Sequence, residues 1–178
     1  MGELHRRLRQ VHPDLTWQVG KPLNGQREFA ISADGILAAF SAVESVADAA
    51  PPLKRWKIVR FRPREEAYYE GGVQMDGVKV NGSDIECSLC SVVAKDGGRK
   101  IGVEVFVRGC PEKNHPSFRR IAYIMLDSAL GEYDVECKVG YIGVFPFEHR
   151  PSVGSRVPFA EFRAEFDRAF DEHFTAGD

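Results

Sequence analysis

The chain has 178 residues, 43% of them apolar and 28% charged, which is room for one domain with its own core and no need of a metal or disulfide staple. Against 26 acidic residues stand 24 basic ones, so the net charge of −2 removes the bulk electrostatic reason to expect a nucleic-acid partner. No apolar run is long enough for a membrane span, and Met1 to Gln10 lacks the apolar stretch of a secretory leader, so the expected compartment is the cytoplasm.

Leu4, Leu8 and Val11 at helical spacing predict a short basic helix over 3–11. His12-Pro13 closes it, because proline disfavours helical geometry in the residue before it. Strands are expected over 15–19 and 27–32, around the turn-forming Pro22-Leu23-Asn24-Gly25. Asp34 is a candidate N-cap for a helix over 35–49 with Leu37, Phe40, Val43 and Ala47 as its apolar stripe. Ala50-Pro51-Pro52 stops that helix, and a strand from Trp56 to Arg62 follows, with Trp56 in the core.

Gly71-Gly72, Asp76-Gly77, Asn81-Gly82 and Asp96-Gly97-Gly98 divide residues 66–107 into short strands, expected as an antiparallel meander. In its last strand Ile101, Val103, Val105 and Val107 line one face, while Lys100, Glu104 and Arg108 line the other. Pro116 opens and Gly131 closes a helix over 116–130 that buries Phe118, Ile121, Ala122, Met125 and Ala129. Alternation of Val135, Cys137, Val139 and Tyr141 predicts a long strand over 133–145. Phe159, Phe162, Phe166 and Phe170 form the core stripe of a C-terminal helix over about 158–174. The expected fold class is α+β over residues 1–178, a mostly antiparallel sheet with helices packed on one face or at its ends.

Candidate chemistry centres on charge. On a continuous strand Arg60, Arg62 and Arg64 share a face, and like charges two residues apart repel unless something answers them. An anionic ligand is one answer, since the guanidinium fork suits carboxylate and phosphate. The other is internal: Glu132, Asp134 and Glu136 are also spaced two apart, so a cross-strand charge ladder is available. Asp127, Glu132 and Asp134 could alternatively gather round a hard cation, although such ions favour a preorganised loop over an open strand. A thiol mechanism would fall to Cys110 and His115, with Arg108 and Lys113 lowering the thiol pKa. Cys87 and Cys90 lie three apart on a strand and diverge rather than chelate, so all four cysteines are expected as free thiols. No nucleotide, nucleophile-elbow or zinc-protease motif is present, and no cofactor is expected.

Two stretches resemble a known pattern: Arg27 to Gly35 with Ala50 to Trp56 and Phe61 to Arg64, and Leu126-Asp127 with Leu130 to Glu136. Together they are similar to an uncharacterised family of bacterial single-domain proteins, a resemblance that covers most of the chain. It implies a bacterial cytoplasmic protein and transfers no catalytic residue. The expected function is a non-catalytic binding or interaction module for an anionic ligand or a protein partner. Its ligand-binding residues would be Arg60, Arg62, Arg64, Asp127, Glu132 and Asp134. The alternative is a small thiol or carboxylate/metal-dependent hydrolase.

Overall fold

The computed structural model describes residues 2–94 and 97–174, so the expected turn residue Asp96 lies outside the described residues. Helix α1 (Glu3–Val11) precedes the hairpin β1 (Thr16–Leu23) and β2 (Gln26–Ser32), whose two-residue loop has positive φ at Asn24 (51°) and Gly25 (78°). That pair of left-handed residues matches the right-handed twist of the strands it joins. A 3-10 turn over Leu37–Ala39 and helix α2 (Phe40–Asp48) then cross to β3 (Trp56–Arg60), which pairs parallel to β2.

The hairpin β4 (Gly72–Met75) and β5 (Val78–Asn81) turns through Asp76-Gly77, again with positive φ at both residues. Strands β6 (Ile85–Val93) and β7 (Arg99–Val107) form a second long antiparallel pair. Helices α3 (Pro116–Leu130) and α4 (Glu132–Lys138) cross to β8 (Val139–Pro146), which is parallel to β7. Strand β9 (Val157–Pro158) adds to β6, and α5 (Phe159–Phe174) ends the described chain.

The fold is α+β. Among the described residues the strands make three sheets, in orders β1-β2-β3, β4-β5 and β8-β7-β6-β9. The expected meander over 66–107 is therefore two hairpins in different sheets. Four pairings are antiparallel and two are parallel, each parallel one bridged by helices. The same hairpin–helix–strand unit occurs twice, as β1-β2-α2-β3 and as β6-β7-α3-α4-β8.

Two apolar clusters hold these units. The larger joins Val103, Val105 and Val107 of β7 to Ile121, Met125 and Leu126 of α3 and to Phe159, Phe162 and Phe166 of α5. The smaller joins Leu8, Leu15, Ile31, Phe40, Val43 and Phe61. Leu37, expected in the α2 stripe, is exposed because the 3-10 turn before the helix rotates it outward. Trp56 is half exposed and meets the Phe29 ring edge-on rather than entering the core. Glu104, expected on a wet face, is buried: the 147–156 segment crosses that side of the sheet, and Ser152 donates to its carboxylate from backbone and hydroxyl.

The largest departure from expectation is α4. Val135 and Val139 are four apart, which satisfies an alternating strand and a single helix face equally well. The chain takes the helix as far as Lys138 and returns to strand at Val139, the first residue of β8, and both side chains are buried. Glu132, Asp134 and Glu136 consequently do not form a strand row. Gly131 joins α3 to α4 at φ 78° and ψ 151°, a backbone region essentially confined to glycine. A Cβ there would stand 3.2 Å from the Arg62 carbonyl oxygen and 3.2 Å from the Arg64 nitrogen. Gly131→Ala should therefore cost about 2–3 kcal/mol of stability in urea denaturation, and an unchanged unfolding midpoint would refute this account of the junction.

Candidate functional site

The segment that follows β3 sets the site. Phe61 has φ 61°, so the strand ends at Arg60 and the chain turns, with the Phe61 ring buried 4.4 Å from that of Phe40. This bend separates the three arginines that a continuous strand would have aligned. Arg60 reaches back to Asp48 at the end of α2. Arg62 faces Asp34 at 2.9 Å, Asp127 at 3.4 Å and Glu132 at 3.7 Å. Arg64 holds Asp134 at 2.6 Å and Asp167 of α5 at 2.8 Å, and its Nε donates to the Leu130 carbonyl.

Of the expected site residues, then, the fold brings Arg62, Asp127 and Glu132 together. Arg64 and Asp134 form a neighbouring cluster, and Arg60 stands apart from both. No cross-strand ladder forms, because Glu132 and Asp134 stand on a helix and Arg62 and Arg64 lie beyond the end of β3, yet the fold still pairs Arg62 with Glu132 and Arg64 with Asp134. Glu136 instead packs over Gly35, where a Cβ would come within 2.9 Å of its carboxylate.

Glu132 is fully buried at the first position of α4. Its Oε1 accepts from the backbone nitrogens of Ala33 (2.8 Å) and Gly35 (3.2 Å), and Oε2 accepts from that of Arg62 (3.1 Å). The Glu132 nitrogen in turn donates to the Arg62 carbonyl at 3.1 Å. Asp34 is accordingly not a helix cap. It has φ 52° in the turn that wraps this carboxylate, and the Asp34 nitrogen donates to the Ser32 hydroxyl.

Beside this anchor lies a hollow of about 270 Å³ walled by Gln18, Arg62, Pro63, Glu65, Ile124, Asp127 and Ser128. Gln18, Glu65 and Ser128 carry no chemical motif, and only their convergence at the ends of β2 and β3 marks them. Burial pushes the Asp127 carboxyl up to about 6; Arg62 opposes the shift, while Glu132, Glu136 and Asp34 add to it. The charged groups on the wall are one cation, Arg62, and two carboxylates, Glu65 and Asp127, so the hollow is acidic.

Ile124 separates this hollow from a larger one of about 540 Å³, bounded by Met75, Pro116, Arg119, Arg120 and Tyr123. The outer stripe of α3 thus reads Pro116, Arg119, Arg120, Tyr123, Ile124, Asp127 and Ser128. Its complement (Phe118, Ile121, Ala122, Met125, Leu126, Ala129) is buried.

Cys110 does not fit a nucleophile. Burial raises its thiol pKa and its Sγ donates to the Glu112 carbonyl, whereas thiolate chemistry needs the opposite shift. Among the described residues, no cluster of three or more His, Cys, Asp or Glu side chains is arranged to hold a metal ion. Nor, among them, is any helix long and apolar enough to cross a membrane. Comparison of the chain with protein-family models, curated proteins and solved structures gave no match.

Two outcomes follow from this geometry. Glu132→Gln places an amide donor against the Arg62 N–H, and should cost about 3 kcal/mol in urea denaturation; an isostable variant would show that the carboxylate is not the anchor. For Asp127, the folded chain keeps a proton between the ordinary carboxylate range and about pH 6 that the unfolded chain releases. Stability therefore falls as pH rises through that window and levels off above it. Asp127→Asn removes the loss, so at low protein concentration it should melt higher than the parent at about pH 7.5 and converge on it near about pH 4. A pH-independent difference would contradict the burial argument.

Proposed function

We propose that this chain is a non-catalytic interaction module of the bacterial cytoplasm whose docking face is the outer stripe of α3. The observation that carries the reading is the order of side chains along that stripe. Arg119 and Arg120 lie near the positive end of the helix dipole and Asp127 near its negative end, each opposite to what the isolated helix favours. Ile124, 40% exposed, forms an apolar ridge between them with a hollow on either side. A surface that sets its charges against its own dipole and leaves an isoleucine in water is arranged for an external partner.

Of the two occupants expected, a protein is favoured over an anionic small molecule. Arg60, Arg62 and Arg64 are each answered by a carboxylate, and the hollow beside Arg62 is acidic, so a free anion would meet net repulsion there. The groove between α1 and α2, about 440 Å³, is lined almost wholly by apolar groups and offers no charge pattern to orient a partner. The hydrolase alternative would have to use a Cys110 thiol that burial makes less acidic.

Replacing Ile124 with p-benzoylphenylalanine and irradiating intact cells tests the reading. The expected product is a discrete polypeptide adduct of defined mass. The same label at Val93, which is 75% exposed on β6, should give none. Equal adducts at both positions, or none at position 124, would remove α3 as the docking face.

A further inference from the structure

We infer that the partner seated on α3 is a second copy of this chain, its own α3 lying antiparallel across a two-fold axis between Tyr123 and Ile124. The inference rests on the proposed docking face and adds its occupant. A two-fold axis perpendicular to the helix pairs residues whose numbers add to a constant. With the axis between Tyr123 and Ile124, Arg120 faces Asp127 of the other copy, Arg119 faces Ser128, and Tyr123 faces Ile124. Arg120 and Asp127 are seven residues apart, close to two full turns, so both lie on the same stripe about 10 Å apart. Each charge then sits about 5 Å from the axis and meets its opposite twice in one interface.

The interface is self-complementary in every layer. Positive meets negative at both ends, and the apolar ridge is central. The ridge at Ile124 of one copy faces the hollow beside Tyr123 of the other, which is the arrangement a closed isologous dimer needs. Antiparallel helices also bring opposite dipole ends together, so side chains misplaced on one helix are well placed relative to its neighbour.

Existing contacts leave these groups available. The Arg119 guanidinium lies over the Tyr123 ring at 5.6 Å and, among the described residues, has no carboxylate within ion-pair distance. Arg120 meets Asp76 at 3.2 Å, with both side chains more than half exposed, a pair that water screens heavily. Asp127 meets Arg62 at 3.4 Å but is faced by Asp34, Glu132 and Glu136 as well, so a further cation relieves repulsion.

Sedimentation equilibrium of the full chain at high micromolar concentration provides the test. The parent should be a reversible dimer and Ile124→Asp a folded monomer by circular dichroism. Arg119→Glu should weaken dimerisation about tenfold, since the new acid faces the partner's Asp127 region twice per interface. Adding Ser128→Lys to Arg119→Glu should restore most of that loss, because only the antiparallel register puts these two positions together.

A monomeric parent, a dimer indifferent to Ile124→Asp, or a double variant no tighter than Arg119→Glu would each overturn the inference. The photo-adduct at position 124 separates the two levels. A product of twice the chain mass supports both. A different polypeptide keeps the docking face and overturns the second copy, and the absence of any adduct overturns both.

Discussion

One buried carboxylate holds the candidate site together. Glu132 has no access to water, and an isolated charge in that position would cost several kcal/mol. Three backbone N–H groups, from Ala33, Gly35 and Arg62, surround it instead. These groups come from the turn after β2 and the bend after β3, and the carboxylate itself stands at the head of α4. A single side chain thus fixes the ends of two parallel strands against the α3–α4 junction. Hydrogen bonds to a charged acceptor are stronger than neutral ones, which is how so small a contact can hold three segments in register.

The conformations around Glu132 follow from that demand. Asp34 and Gly35 turn left-handed so that two nitrogens converge on Oε1, and Phe61 does so to aim the Arg62 nitrogen at Oε2. Gly131 must lack a side chain because the Arg62 carbonyl and the Arg64 nitrogen occupy the space. Because the bend at Phe61 breaks the strand, the arginines that follow it part company. Arg62 turns toward Asp34 and Asp127, and Arg64 turns toward Asp134 and Asp167. An apparent basic row becomes three separate ion-pair groups, Arg60 with Asp48 being the third, and the hollow between β1, α3 and Arg62 becomes acidic.

Helix α3 serves both the core and the surface. Its inner stripe packs between the β7 face and the α5 phenylalanines, which fixes the helix rigidly. The outer stripe inherits that rigidity, so Arg120, Ile124 and Asp127 are presented in a fixed spacing rather than on a mobile loop. Preorganisation of this kind lowers the ordering entropy of association. The same packing keeps Asp127 largely buried, which is the main reason its carboxyl is reluctant to ionise, and the nearby Glu132 and Glu136 add to the effect.

Periodicity and turn chemistry by themselves determined much of this protein. The helical span of α1, the apolar stripes of α3 and α5, the Asn24-Gly25 and Asp76-Gly77 turns, and the α+β class are local facts, since a helix face or a two-residue loop is specified by residues within a few positions of one another. The α4 helix was not legible, because Val135 and Val139 suit either period and the deciding contact, Glu132 with Ala33, spans about 100 positions of sequence. The reach of Arg62 to Asp34 and Asp127, and of Arg64 to Asp167, was likewise hidden. Sequence identified the charges but not their distances, and an ion pair depends on distance. Two parallel strands, a left-handed bend and one buried carboxylate decided which charges cancel within the chain and which, along α3, face outward.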